Sequence, residues 1–172
     1  MKWVGLENMG ATCYINSYLQ TLYANVQFRR MVFALKAEDC ECATAKLCVE
    51  ELQKLFASMS STSKRFLKPE SFVKALQIPE HNQQDIPEFS KLLLNMLDRK
   101  CCKMQKTLKN VEGENKFTLE DLQSFIETTF RGKSSSITIC QKCNYTSVKE
   151  ETFEEICLPI KSMHKLSECL LN

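Results

Sequence analysis

The chain has 172 residues, 44% hydrophobic and 26% charged, with 23 Lys and Arg against 21 Asp and Glu for a net charge of +2. Such a balance suits one globular domain with a substantial core and excludes a disordered or fibrous chain. The charge is too small to imply nucleic-acid binding, and no stretch reaches the roughly 18 apolar residues of a membrane span. Met1-Lys2-Trp3-Val4-Gly5 lacks the apolar run of a secretory signal, so an intracellular location, cytoplasm and/or nucleus, is expected. The ten cysteines are accordingly read as reduced thiols.

The first element is a helix starting near Cys13, in which Ile15, Tyr18, Leu19, Leu22, Tyr23 and Val26 follow the i, i+3, i+4, i+7 pattern of a buried stripe. A cysteine in a first helical turn meets the positive end of the dipole and unpaired backbone N–H groups, which favour thiolate. Asn8, on the preceding loop, is placed to donate an amide hydrogen bond to an oxyanion. The competing reading of Cys13 by itself is a buried structural cysteine.

A linker around Glu38 to Cys42 precedes a second helix whose face carries Ala45, Cys48, Leu52, Leu55, Phe56 and Met59. Ser58 to Ser63 is expected to end it. Pro69 then suits the first turn of a short helix through Phe72, Val73 and Leu76, which Pro79 stops. After His81-Asn82-Gln83-Gln84, Asp85 is a natural N-cap, Pro87 is tolerated in the first turn, and Phe89, Leu92, Leu93, Met96 and Leu97 form the buried stripe. The basic cluster Arg99-Lys100, Lys103, Lys106 and Lys109 is either a solvated helix end or a contact for an acidic partner.

Thr118-Leu119-Glu120-Asp121 opens another helix with Leu122, Phe125, Ile126 and Phe130 on its apolar face, and Gly132 breaks it. From Lys133 the character becomes strand-like: Ile137, Thr138 and Ile139 lead into Cys140-Gln141-Lys142-Cys143, with a return through Tyr145 to Ile160. Alternation of Ile156, Leu158 and Ile160 predicts a half-buried strand there, and Leu166 to Asn172 opens one more helix. Helices first and strands afterwards predict an α+β fold. Cys140 and Cys143 have the spacing of half a zinc knuckle, of a redox dithiol, or of a fortuitous pair in a hairpin. Cys40-Glu41-Cys42 and Cys101-Cys102 are too tightly spaced for a metal pair, and Cys48, Cys157 and Cys169 are assigned nothing beyond packing or surface placement.

The string Gly5-Leu6-Glu7-Asn8-Met9-Gly10-Ala11-Thr12-Cys13-Tyr14-Ile15-Asn16-Ser17 resembles the cysteine box of the ubiquitin-specific proteases, G-L-x-N-x-G-x-T-C-Y-x-N-S/T. Gln83-Gln84-Asp85-x-x-Glu88-Phe89 resembles their second signature, with Pro87 a departure where His or Gln is usual. The resemblance implies a papain-like deubiquitinating cysteine protease that hydrolyses the isopeptide bond at the ubiquitin C-terminus. Cys13 would be its nucleophile, Asn8 its oxyanion donor, and Asp85 and Glu88 its contacts with the ubiquitin tail. The expected partners are ubiquitin and ubiquitinated proteins, with no nucleic acid and no membrane.

The resemblance further implies one partial catalytic domain over residues 1–172: a helical thumb over 1–131, then the start of a β-rich fingers and palm region over 132–172, with the palm incomplete. Catalysis of this kind needs no cofactor. Cys140 and Cys143 would be half of a structural zinc site, which requires a second C-x-x-C that this sequence does not contain. Neither His81 nor His164 stands in the G-H-Y context of the family's catalytic histidine, so the histidine box is expected C-terminal to this sequence. The rival expectation is a catalytically inactive, truncated paralogue that binds ubiquitin or regulates.

Overall fold

The computed structural model describes residues 4–40, 42–78, 85–100 and 119–170. Pro79, His81, Gln83-Gln84, Cys101-Cys102, Lys103, Lys106, Lys109 and Thr118 lie outside them. The chain divides into two compact units, Met1–Ser124 and Phe125–Asn172. Helices precede a β-hairpin, giving the mixed helix and strand content of an α+β protein.

In the first unit, β1 (Gly5–Leu6) leads through a loop to α1 (Cys13–Ala24). Tyr14, Ile15, Leu19, Leu22 and Tyr23 are buried along α1, but Val26 is not part of that face. The helix stops at Ala24, because Asn25 leaves the helical region and its Oδ1 accepts the N–H groups of Gln27 and Phe28. A second helix, α2 (Val26–Ala34), therefore begins where the sequence pattern continued the first, and Val26 is 49% exposed. A 3-10 turn at Ala37–Asp39 follows.

α3 (Ala43–Ser61) packs against α2 and, further on, against α4 (Glu70–Ala75) and α5 (Ile86–Lys100), so it is the central helix of this unit. Its buried face is the expected one with Val49 added. Its N-cap is Cys42, whose Sγ accepts the Ala45 N–H at 3.4 Å, and the buried Cys48 thiol donates to the Ala75 carbonyl at 3.1 Å. Both thiols thus do more than pack. α3 ends within the expected Ser58 to Ser63 stretch, at Thr62, after Ser60 and Ser61 donate back to the Phe56 and Ala57 carbonyls.

β2 (Phe66–Leu67) pairs in parallel with β1. Pro69 occupies the N-cap of α4, which ends at Ala75, and Gln77 just beyond it adopts φ 56°. Along α5 the buried residues among those described are Phe89, Leu93, Leu94 and Leu97. Leu92 is exposed and Met96 half-buried, so the buried stripe lies about one position from the expected one. Phe28, Phe56, Phe72 and Phe89 fill the interior, with Tyr23 and Phe28 meeting Phe56 edge-on.

α6 (Leu119–Phe130) runs from the first unit into the second. In the second unit β3 (Gly132–Ile139) and β4 (Thr146–Phe153) form an antiparallel hairpin in the register Gly132↔Phe153 to Ile139↔Thr146. Gly132 is the first strand residue, and a Cβ there would collide with the Phe153 ring. Arg131 closes the open end of the hairpin with a 3.0 Å ion pair to Glu154. The strand expected at Ile156 to Ile160 is absent: β4 ends at Phe153, where its partner also runs out, and Ile156 and Ile160 are exposed. α7 (Leu166–Leu170) follows. No described helix is long and apolar enough to cross a membrane.

Candidate active site

The loop from Glu7 to Thr12 is held at both ends. At its start, Gly5 and Glu7 donate backbone bonds to the Arg65 and Leu67 carbonyls at 3.0 and 2.8 Å. From α1, the Asn16 side-chain amide donates to the Glu7 and Leu6 carbonyls at 3.0 and 3.3 Å, and Gln20 Nε2 reaches the Val4 carbonyl at 2.7 Å. Between these anchors Gly10 sits at φ 117°, a conformation that a residue with a Cβ rarely adopts, which lets the loop turn back onto the helix start.

Thr12 is at the N-cap of α1 and only 2% exposed, yet its side chain makes no cap bond. The hydroxyl faces the loop, accepting the Met9 N–H at 2.9 Å and donating to Asn8 Oδ1 at 3.1 Å. The Thr12 N–H also reaches Asn8 Oδ1, at 3.2 Å. Cys13 follows as the first residue of α1, with an exposed side chain. The buried structural cysteine considered above is therefore not what the fold contains. Asn8 is exposed as well, its amide oxygen occupied on the protein side.

Glu88, remote in sequence, comes to the Tyr14 end of α1 beside Cys13, and Asp85 stands three residues before it in the chain. Asp85 precedes α5 and its carbonyl accepts the Phe89 N–H at 3.1 Å, while Pro87 lies in the first turn, where its missing N–H costs nothing. Both carboxylate residues are exposed. Between them and Cys13 lies an aromatic joint: Phe89 meets the rings of Tyr14 and Tyr18 edge-on at 5.6 and 5.8 Å, and the Tyr18 and Ser90 hydroxyls bond at 2.7 Å. Burial pushes the Tyr14 phenol above its ordinary range, and the negative charges of Cys13 and Glu88 push it further. One buried hydroxyl thus senses both groups.

Cys140 and Cys143 stand at the hairpin turn, both exposed. The turn is closed by Cys140 N–H to the Tyr145 carbonyl at 2.9 Å and by Asn144 N–H, at φ 54°, to the Cys140 carbonyl at 2.8 Å. Backbone N–H groups of Lys142 and Cys143, together with the Cys143 thiol, hold the Cys140 thiol below its usual range. The two thiols stand side by side at the turn, and no group of three metal-ligating side chains gathers among the described residues. His164 is exposed in the second unit, its backbone N–H donating to Glu168 at 3.0 Å. The sequence reading assigned Thr12 and Asn16 no role. Both nevertheless fall on fixed positions of the cysteine-box pattern that the string Gly5 to Ser17 resembles, which is the signal that could have singled them out.

The chain matches the family model described as ubiquitin carboxyl-terminal hydrolase over residues 4–169. It is similar to ubiquitin carboxyl-terminal hydrolase 48 of Danio rerio, 35% identical over 98% of this chain and 15% of that relative. Ubiquitin carboxyl-terminal hydrolase 48 of Gallus gallus is 29% identical over 98% of this chain and 16% of its own length. Ubiquitin carboxyl-terminal hydrolase 26 of Arabidopsis thaliana is 32% identical over 96% and 14%. The chain thus spans about a seventh of the length of these relatives. With the family model covering nearly its whole length, the chain belongs to the ubiquitin carboxyl-terminal hydrolase family.

Proposed function

We propose that this chain carries the nucleophile-bearing part of a cysteine-type deubiquitinase, which cleaves the isopeptide bond after the ubiquitin C-terminus. The observation that carries the reading is the exposed Cys13 at the start of α1, beside an Asn8 whose amide oxygen is fixed inward by Thr12. Cys13 Sγ attacks the carbonyl carbon, and Asn8 Nδ2 donates to the oxyanion that develops. The amine then leaves, and water hydrolyses the resulting thioester. Asp85 and Glu88, exposed at the start of α5, offer carboxylates to a cationic peptide tail lying toward Cys13.

The proton transfers need a base, which this reading gives to a histidine of the longer catalytic domain rather than to His81 or His164. In the same reading residues 1–131 are a thumb-like part and 132–172 begin the fingers. Cys140 and Cys143 supply two of four thiolates to a structural zinc, which would pin the hairpin turn and take no part in the reaction. The working compartment is the cytoplasm and/or nucleus.

The test is a ubiquitin probe with a C-terminal thiol-reactive warhead, incubated with the purified chain and with Cys13→Ala and read by intact mass. An adduct on the wild type alone supports the reading. A folded chain that binds ubiquitin yet forms no adduct overturns catalysis by this chain and supports the non-catalytic ubiquitin-binding alternative.

A further inference from the structure

Thr12 breaks a local rule. A threonine at a helix N-cap ordinarily turns its oxygen onto the N–H of the second or third helical residue. At the start of α1 it makes no such bond, although it is the buried polar residue among the described ones, at 2% exposure. Its hydroxyl has one proton to give. Because Met9 N is itself a donor, at 2.9 Å, that proton goes to Asn8 Oδ1 at 3.1 Å. The Thr12 N–H reaches the same oxygen at 3.2 Å. The Asn8 carboxamide therefore has one end defined by two donors. Turned over, its NH2 group would face the Thr12 N–H donor against donor, and the hydroxyl, which already accepts from Met9, would have to accept a second time and leave its own proton without the Asn8 acceptor. With Oδ1 held inward on an exposed residue, Nδ2 is the end left for an external acceptor.

We propose that Thr12 is a positioning residue: its hydroxyl fixes which end of the Asn8 carboxamide is presented outward, and so keeps the donor Nδ2 available to an oxyanion formed at Cys13. This rests on the reading of Cys13 and Asn8 given above. It adds that the forgone helix cap is the structural cost of orienting an exposed amide that would otherwise populate both orientations. Thr12→Val keeps the shape and the backbone N–H but removes the hydroxyl. Thr12→Ser keeps the hydroxyl.

The experiment uses the whole 172-residue chain and three readouts. The first is acylation by a ubiquitin thioester of 2-mercaptoethanesulfonate. In that step the Cys13 thiolate forms a bond to the carbonyl carbon, the bond to the departing sulfur breaks, and 2-mercaptoethanesulfonate leaves as a thiolate. The second is alkylation of Cys13 by iodoacetamide, a displacement at carbon that builds no oxyanion. The third is the pair of NMR signals from the ¹⁵N-labelled Asn8 side-chain amide.

Since losing an oxyanion donor outright costs about 100-fold or more, partial misorientation in Thr12→Val should slow acylation by about tenfold. Alkylation should stay within about twofold, because only the carbonyl reaction uses the oriented donor, and Thr12→Ser should match the wild type in both reactions. In an Asn8→Ala background Thr12→Val should cost nothing further. Wild-type acylation by Thr12→Val, a parallel fall in alkylation, or an undiminished loss in the Asn8→Ala background would each overturn the proposal. If the wild type alkylates but never acylates, the catalytic reading fails on its own. The Asn8 amide signals then decide orientation: one sharp pair in wild type and Thr12→Ser with a shifted or broadened pair in Thr12→Val upholds it, and an unchanged pair overturns it.

Discussion

Replacing Asn16 tests how the loop that carries Asn8 is fixed to the helix that carries Cys13. The Asn16 Nδ2 group donates to the Glu7 and Leu6 carbonyls at 3.0 and 3.3 Å, each bond contributing about 1 kcal/mol net. Its Oδ1 is buried without a hydrogen-bond partner among the described residues, so leucine, of similar shape, relieves a penalty of about 1 kcal/mol while losing both bonds. Asn16→Leu is therefore expected to destabilise by about 1 kcal/mol, near 3 °C in Tm for a chain of this size. Asn16→Asp loses the same donors and sets a carboxylate against two carbonyl oxygens, for a cost of about 3 kcal/mol. Urea unfolding followed by helical circular dichroism measures both. Amide exchange at Gly5 and Glu7, whose N–H groups pair with Arg65 and Leu67, locates the damage and should accelerate most in Asn16→Asp. Wild-type stability and exchange in Asn16→Asp would refute the clamp.

The Tyr14 hydroxyl is buried without a hydrogen-bond partner among the described residues, so Tyr14→Phe should stabilise by about 1 kcal/mol at neutral pH in chemical denaturation. The folded-state pKa of Tyr14 is raised, so its contribution is complete below the unfolded value and is lost as pH rises through the folded one. Tyr14→Phe should accordingly lose less stability than the wild type between pH 9 and pH 12, about the span of phenol ionisation, and an identical alkaline slope would contradict this. Asn25→Ala removes the acceptor of the Gln27 and Phe28 N–H groups and should cost about 1 kcal/mol, with Asn25→Asp close to wild type in the same unfolding assay. At the hairpin turn, Cys140 should be alkylated faster than the exposed Cys157 at pH 7, read by peptide mass mapping. Cys143→Ala should slow it, and an unchanged rate would show that the neighbouring thiol contributes nothing.

α1 and α3 were legible because each keeps a helical apolar period over three or more turns, long enough for the buried face to outweigh local exceptions. The α1–α2 break was missed because Val26 continues the α1 period. Only the Asn25 side chain, capping the next helix, marks the boundary, and that residue type is a helix start signal when read as one. Leu92 was misassigned for a related reason: three consecutive leucines satisfy two neighbouring phases, and contact with α1 and α3 selects the one containing Leu94. Alternation at Ile156 to Ile160 failed because a strand needs a partner as well as a period. β3 begins at Gly132 opposite Phe153, leaving nothing in the hairpin for a longer β4 to pair with. At the site, residue types and spacing singled out Cys13 and Asn8, whereas the direction of the Thr12 hydroxyl and the Asn16 clamp arise from the fold of the loop and leave no period to read.

The placement of Asp85 and Glu88 depends on a joint that neither residue makes. Phe89 inserts between Tyr14 and Tyr18, and the Tyr18–Ser90 hydroxyl pair sets the relation of α5 to α1 one residue further on. Cys13 directly precedes Tyr14 and Glu88 directly precedes Phe89, so each exposed group is one residue from a buried anchor in the same aromatic contact. Core packing therefore positions the surface chemistry: the rings are close-packed and resist sliding, and the exposed side chains inherit their separation from them. The same nearness puts the Tyr14 hydroxyl within electrostatic reach of both Cys13 and Glu88. The loop network around Thr12 adds an orientation that packing cannot supply, because an exposed amide has two nearly isosteric ends and only hydrogen bonding distinguishes them. Position at this site comes from aromatic contacts and orientation from three hydrogen bonds in the loop.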